Sequence, residues 1–150
     1  MCFIDADDLW IPNKLSILNE LIEINNGVTW IYHPVWELSE SGEIKPRRIK
    51  NISTLIEFFH HNPFTPSAVA VKKDVFFSTE GWEERRDRVE DLGLWLGLFE
   101  AGQVPFYTPK LLTKYRVYSG VTTQIEEHLE KIQNVWEEQL QKGIISQENY

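Results

Sequence analysis

Cysteine is almost absent from this chain: Cys2 is the single thiol among 150 residues, so no internal disulfide forms and nothing ties the fold to an oxidising compartment. No apolar run approaches the roughly 20 residues of a transmembrane helix, and the opening lacks the basic stretch and apolar region of a secretory signal. A cytoplasmic protein, or one resting peripherally on a membrane, is expected. Basic residues are outnumbered, 15 Lys and Arg against 23 Asp and Glu for a formal charge of −8. That balance opposes nucleic acid as a partner, because such binding comes from cations that neutralise phosphates. Repeats, linkers and low-complexity stretches are missing too. With 42% hydrophobic and 13% aromatic residues, residues 1–150 are expected to form a single domain with its own core.

What the chain does have is an acidic opening. Met1-Cys2-Phe3-Ile4 runs into Asp5-Ala6-Asp7-Asp8-Leu9-Trp10, which predicts a strand delivering carboxylates to its end. Aspartates spaced i, i+2 at a strand terminus place oxygen ligands on one side of the chain, as Mg²⁺ or Mn²⁺ requires when a substrate phosphate completes the shell. An acidic turn that caps a helix accounts for the same residues.

Pro12 followed by Leu15, Leu18 and Ile22, with Gly27 as terminator, predicts an amphipathic helix over about residues 12–26. Val28 to Tyr32 and Val35 to Leu38 read as a strand, a turn and a short returning strand. Thr54 and Glu57 form a capping-box signature for a helix stopped by Asn62-Pro63. Ser67 to Val71 predicts a buried strand, Glu83 to Arg88 a charged loop, and Leu92, Trp95, Leu98 and Phe99 one face of a helix ended by Gly102. Trp95 is therefore expected in the core. Strands near 104–107 and 111–118 and an amphipathic helix over 124–142 complete the α/β pattern.

Several segments together carry a resemblance. Phe3-Ile4-Asp5-Ala6-Asp7-Asp8-Leu9-Trp10 with Pro12, Lys14 and Leu15, then Ser67-Ala68-Val69, Glu80-Gly81-Trp82-Glu83-Glu84, Glu90-Asp91-Leu92-Gly93-Leu94-Trp95-Leu96, and finally Leu112, Tyr115-Arg116 and Thr122 follow one another in order. This series resembles the C-terminal half of the family 2 glycosyltransferases, which have the GT-A fold and move a sugar from a nucleotide diphosphate donor to an acceptor hydroxyl. The resemblance implies a mixed sheet flanked by helices, a partial GT-A domain, with Mn²⁺ or Mg²⁺ as cofactor. Asp7 is implied as the direct metal ligand. Asp5 is implied to contact donor hydroxyls or to reach the metal through water, and Arg116 to hold a diphosphate oxygen. Asp91 matches the base that takes the acceptor proton in inverting transfer, and Asp8 is left as a helix-entry residue. Other origins exist for each: the helix dipole favours Glu90 and Asp91 at a helix start, Arg116 suits pairing with a surface acid, and Trp82 suits either a loop or a sugar platform. His60 and His61 are expected at a helix end without a metal cluster.

The likeness has departures. In the family the acidic motif lies deep in the chain, whereas here it starts at residue 5, so about a third of a GT-A domain, with its N-terminal strands and base pocket, is expected to be missing. Weak or no transfer by these residues alone follows. Uncovered strand edges predict a homo-oligomer or a complementing chain. Gly97 stands where the family commonly has arginine, and Tyr118 where a histidine is frequent. Two other readings compete. A haloacid-dehalogenase-like phosphatase also opens on a strand and Asp-x-Asp, with Thr65, Lys72 and Asp91 as loose partners; a non-catalytic module would bind through a sheet edge or the last helix.

Overall fold

Helical periodicity and β-rich runs alternate along the chain, and the computed structural model, which describes residues 1–79, 89–118 and 125–146, arranges them as an α/β fold. In chain order the elements are β1 (Leu9–Trp10), α1 (Lys14–Ile24), β2 (Trp30–Tyr32), β3 (Val35–Ser39), β4 (Ile44–Arg47), α2 (Leu55–His60), a 3-10 turn (Pro66–Ala68), β5 (Val69–Val71), α3 (Lys73–Ser78), α4 (Glu90–Glu100), β6 (Phe106–Tyr107), β7 (Thr113–Val117) and α5 (Ile125–Gln141). Two mixed sheets result. One has the order β5-β2-β6, with β2 antiparallel to β5 and parallel to β6. The other has the order β1-β7-β3-β4, with β3 parallel to β7 and antiparallel to β4.

The expected return of β3 alongside β2 does not occur. His33 still donates its N–H to Ala68 in the first sheet (3.2 Å), but Pro34 has no N–H to continue a ladder, and Val35 enters the second sheet opposite Arg47. The antiparallel partner of β3 is therefore β4, which its polar composition hid. Pro46 within β4 faces Trp36, and proline is tolerated because β4 is an edge strand. At the chain start the predicted strand shrinks to one bridge, Cys2 opposite Ala70, because the Asp8 N–H turns back to the Asp5 carbonyl (3.1 Å).

Helix α1 also differs from its expected face. Leu15 and Ile22 are exposed, while Lys14 and Leu18 are buried. The predicted capping box at α2 is present in full, with the Glu57 N–H donating to Thr54 Oγ1 and the Thr54 N–H to the Glu57 carboxylate.

Aromatic packing joins the layers. Trp30 and Trp95 are fully buried and their rings stack 5.9 Å apart at 11°, as expected for Trp95, and Phe64 lies 4.7 Å from Trp30. Trp136 of α5 packs on Phe58 and Phe59 of α2 at 5.6 and 4.8 Å. This contact brings the last helix against the region that α2 and α4 share.

His33, at the crossing between the sheets, is 2% exposed; its Nδ1–H donates to the Pro34 carbonyl at 2.8 Å, while its Nε2 has no partner. Burial, and then the nearby Lys14 ammonium, lower its pKa from 6.5 to about 4. Between those values the unfolded chain binds a proton that the folded chain refuses, so stability falls as pH drops through this window, by about 3 kcal/mol in full. Urea unfolding at pH 7 and pH 4.5 should give a smaller acid-induced loss for His33→Gln than for the wild type. Equal losses would contradict the buried neutral imidazole.

Candidate functional site

The acidic opening is held in place from two sides. Asp5 donates its N–H to Ser67 Oγ at 2.9 Å. Asp8 is 4% exposed and its Oδ1 accepts the Arg116 N–H at 2.9 Å, so it braces β7 and is not a helix-entry residue. Arg116 in turn donates from Nε to the Asp7 carbonyl at 3.1 Å. The 3-10 turn and β7 therefore clamp the same loop.

Beneath that loop lies a buried cation. Lys14 Nζ donates to the Ser67 carbonyl at 2.6 Å and to Thr113 Oγ1 at 3.0 Å, and sits 4.7 Å from the Trp10 ring centroid. Trp10 Nε1 donates to the same carbonyl at 3.1 Å. Burial lowers the Lys14 pKa to about 8. Sequence reasoning passed over Lys14 as part of a motif, although its i, i+4 spacing to Leu18 marked the buried face of α1.

Asp91 stands in the first turn of α4. It lines the same cleft as Asp5, a space of about 500 Å³ whose walls also include Thr65, Tyr115 and His128. Burial raises the Asp91 pKa, and the Glu90 charge raises it further, against the Leu92 N–H bonded to Oδ1 at 2.8 Å and the His128 imidazole. Asp5 is raised as well, first by burial, then by Asp8 and Asp7, and also by Glu90. Glu90 thus acts on both carboxyls, and one of its own oxygens is buried without a hydrogen-bond partner. The sequence marked Glu90 only as half of an acidic pair. Shifts of this kind gather where a carboxylate exchanges protons near neutral pH.

For a divalent ion the donor chemistry fits. Asp5, Asp7 and Asp8 offer hard oxygen ligands, Asp8 Oδ2 is buried with no partner, and their mutual repulsion is felt at Asp5. Among the described residues no three His, Cys, Asp or Glu side chains form a ready cage. Mg²⁺-like ions do not need one, since they are commonly held by one or two carboxylates together with substrate phosphates and water.

Of the residues singled out from the sequence, Asp5 and Asp91 share the cleft. Asp7 and Arg116 touch each other through the Asp7 carbonyl without lining it. His61 lines the cleft just beyond α2, and His60 ends that helix, as expected of a helix end. Gly97 faces Thr79, where an added Cβ would lie 3.4 Å from the Thr79 Cβ, an ordinary van der Waals contact. Trp82 and its loop, and Thr122, lie outside the described residues. No described helix is long and apolar enough to cross a membrane.

No protein-family model matches the sequence. The chain is similar to a Haemophilus influenzae protein described as an uncharacterized glycosyltransferase, with 27% identity over 128 residues that cover 83% of this chain and 42% of that protein. It therefore spans less than half the length of the curated relative it matches. The fold is mixed α/β, and over most of its length the chain is similar to that protein.

Proposed function

We propose that this chain carries the catalytic carboxylates of an inverting sugar transferase, which moves a glycosyl group from a nucleotide diphosphate sugar to an acceptor hydroxyl. The observation that carries the reading is the meeting of Asp5 and Asp91, distant in sequence, on one cleft with Glu90 acting on both. Asp91 takes the acceptor proton. As that proton leaves, the acceptor oxygen bonds to the anomeric carbon and the bond from that carbon to the diphosphate oxygen breaks. A carboxyl pKa raised by burial suits a base that must take a hydroxyl proton near neutral pH.

Asp7 would hold Mn²⁺ or Mg²⁺, which when bound offsets the charge that develops on the departing diphosphate. Asp5 is assigned to donor hydroxyls or to a metal-bound water. Arg116 fixes the Asp7 backbone with one N–H, and its remaining N–H groups are assigned to a phosphate oxygen. The donor's base is assigned to parts of such a protein that this chain does not span.

Calorimetry with Mn²⁺ and a nucleoside diphosphate, on the protein at the length its gene encodes, tests the metal assignment. Asp7→Asn should weaken metal-dependent binding roughly 10- to 100-fold, the loss typical when support for a bound metal is removed. Unchanged binding would refute it. The phosphatase alternative lacks its cation: Lys72 pairs with Asp74 at 3.0 Å and lines a different groove from Asp5.

A further inference from the structure

We infer that the acceptor of this transferase is a saccharide bearing a carboxylate or phosphate, held by an anion subsite that Arg47 and Arg48 form in the cleft of Asp5 and Asp91. The inference rests on the transferase reading and names the class of its acceptor. Both arginines line the cleft, and His61 lines it with them. In a chain with a net charge of −8, two adjacent guanidinium groups stand in the cleft beside its two carboxylates, Asp5 and Asp91. A neutral sugar hydroxyl needs no such charge, whereas the planar guanidinium fork matches a carboxylate or phosphate in two parallel hydrogen bonds.

Arg47 is set in advance. Its Nη2 donates to Thr65 Oγ1 at 2.7 Å, its Nη1 lies 3.9 Å from Glu37, and its guanidinium carbon is 4.8 Å from the Tyr115 ring centroid. These contacts leave N–H groups over while fixing the plane of the fork, which reduces the ordering cost of binding. Arg48 is exposed, with no partner among the described residues. The chain just beyond it is tethered, because the Tyr32 hydroxyl accepts the Ile52 N–H at 2.6 Å and donates toward the Ile52 carbonyl at 3.2 Å. The two arginines therefore sit on a fixed end of β4, on a cleft of about 500 Å³, room for a sugar unit whose hydroxyl faces Asp91 while its anionic group faces Arg48.

The same oxyanion chemistry belongs to the donor's diphosphate, so the test has arms for both sources. Binding of glucose, glucuronate, glucose 6-phosphate and Mn²⁺ with uridine diphosphate is measured by ligand-observed NMR on the wild type, Arg48→Ala and Arg48→Glu. Arg48 has no packing role here, so the variants should fold; their circular dichroism and unfolding midpoints check this. The inference predicts that glucuronate or glucose 6-phosphate binds at least tenfold tighter than glucose, that Arg48→Ala removes most of this preference and Arg48→Glu all of it, and that uridine diphosphate is unaffected. Equal binding of glucose and the anionic sugars, or no saturable binding of either anionic sugar, would overturn it. So would an equal loss of uridine diphosphate affinity in Arg48→Ala, which would assign the arginine to the donor. Failure of the transferase reading is seen separately, as absent Asp7-dependent binding of uridine diphosphate.

Discussion

Asp91→Asn should lower kcat of the transfer reaction by about 10²- to 10⁴-fold, the usual contribution of a positioned general base, and leave nucleotide affinity unchanged. The amide keeps the size of the side chain and an oxygen to accept the Leu92 N–H, so the loss would report proton transfer and not a collapsed helix start. The pH profile gives an independent reading. A base must be unprotonated to work, so the rate rises with pH through the Asp91 pKa, which burial and then Glu90 hold above the ordinary aspartate value. Glu90→Gln removes one cause of that elevation and should move the acidic limb to lower pH, while Asp91→Asn should abolish the limb. Stopped assays for released nucleoside diphosphate across pH measure all three proteins. A full rate in Asp91→Asn would remove the base assignment.

Trp30→Ala should destabilise the fold by about 3–5 kcal/mol, the range for deleting a large buried aromatic side chain. Trp30 is fully buried and contacts Phe64, Trp95 and Phe99 at ring distances of 4.7, 5.9 and 5.0 Å. These partners come from the segment before the 3-10 turn and from α4, so the cavity would open between the elements that carry Thr65 and Asp91. At this chain length the melting temperature should fall by roughly 10 °C. Phe64 also lines the cleft, so anionic-sugar binding should weaken in the same variant even below its melting point. A shift within the range of an ordinary surface substitution, about 0.5 kcal/mol, would mean that the stacked aromatic layer is not the centre of the core.

The elements that local chemistry specifies were legible in the sequence. Thr54 with Glu57 named the start of α2, and Gly102 takes the left-handed φ of 71° expected of a helix terminator, while α4 buries not only Leu92, Trp95 and Leu98 of the expected face but also Leu94 and Leu96 beyond it. Pairing was not legible, because it depends on partners far along the chain. Val35 to Ser39 looks like the second arm of a hairpin until Pro34 ends one ladder, and the short polar run Ile44 to Arg47 gives no sign that it will flank β3. Burial of Lys14 defied its charge, since the ammonium is satisfied by the Ser67 carbonyl and the Thr113 hydroxyl, which only the fold brings together.

At the site, Asp5 and Asp91 were identifiable by type and order, and both line one cleft. Asp8 was misread because a helix was expected directly after it, where the structure instead has β1 and an acceptor for the Arg116 N–H. The role of Glu90 depends on its reach to both carboxyls, a distance that no sequence pattern encodes. Arg47 and Arg48 were missed for a related reason: Arg47 ends the strand that composition concealed, and Arg48 directly follows it.

Paramagnetic broadening by Mn²⁺ tests the convergence of the two carboxylate groups most directly. In the presence of a nucleoside diphosphate, substoichiometric Mn²⁺ should broaden the amide resonances of Ala6 and Asp8 and, with them, those of Asp91 and Leu92, and Asp7→Asn should restore all four. Broadening that leaves Asp91 and Leu92 sharp while the Asp5 to Asp8 segment responds would place the metal away from the base, and the account of one shared transfer site would be wrong.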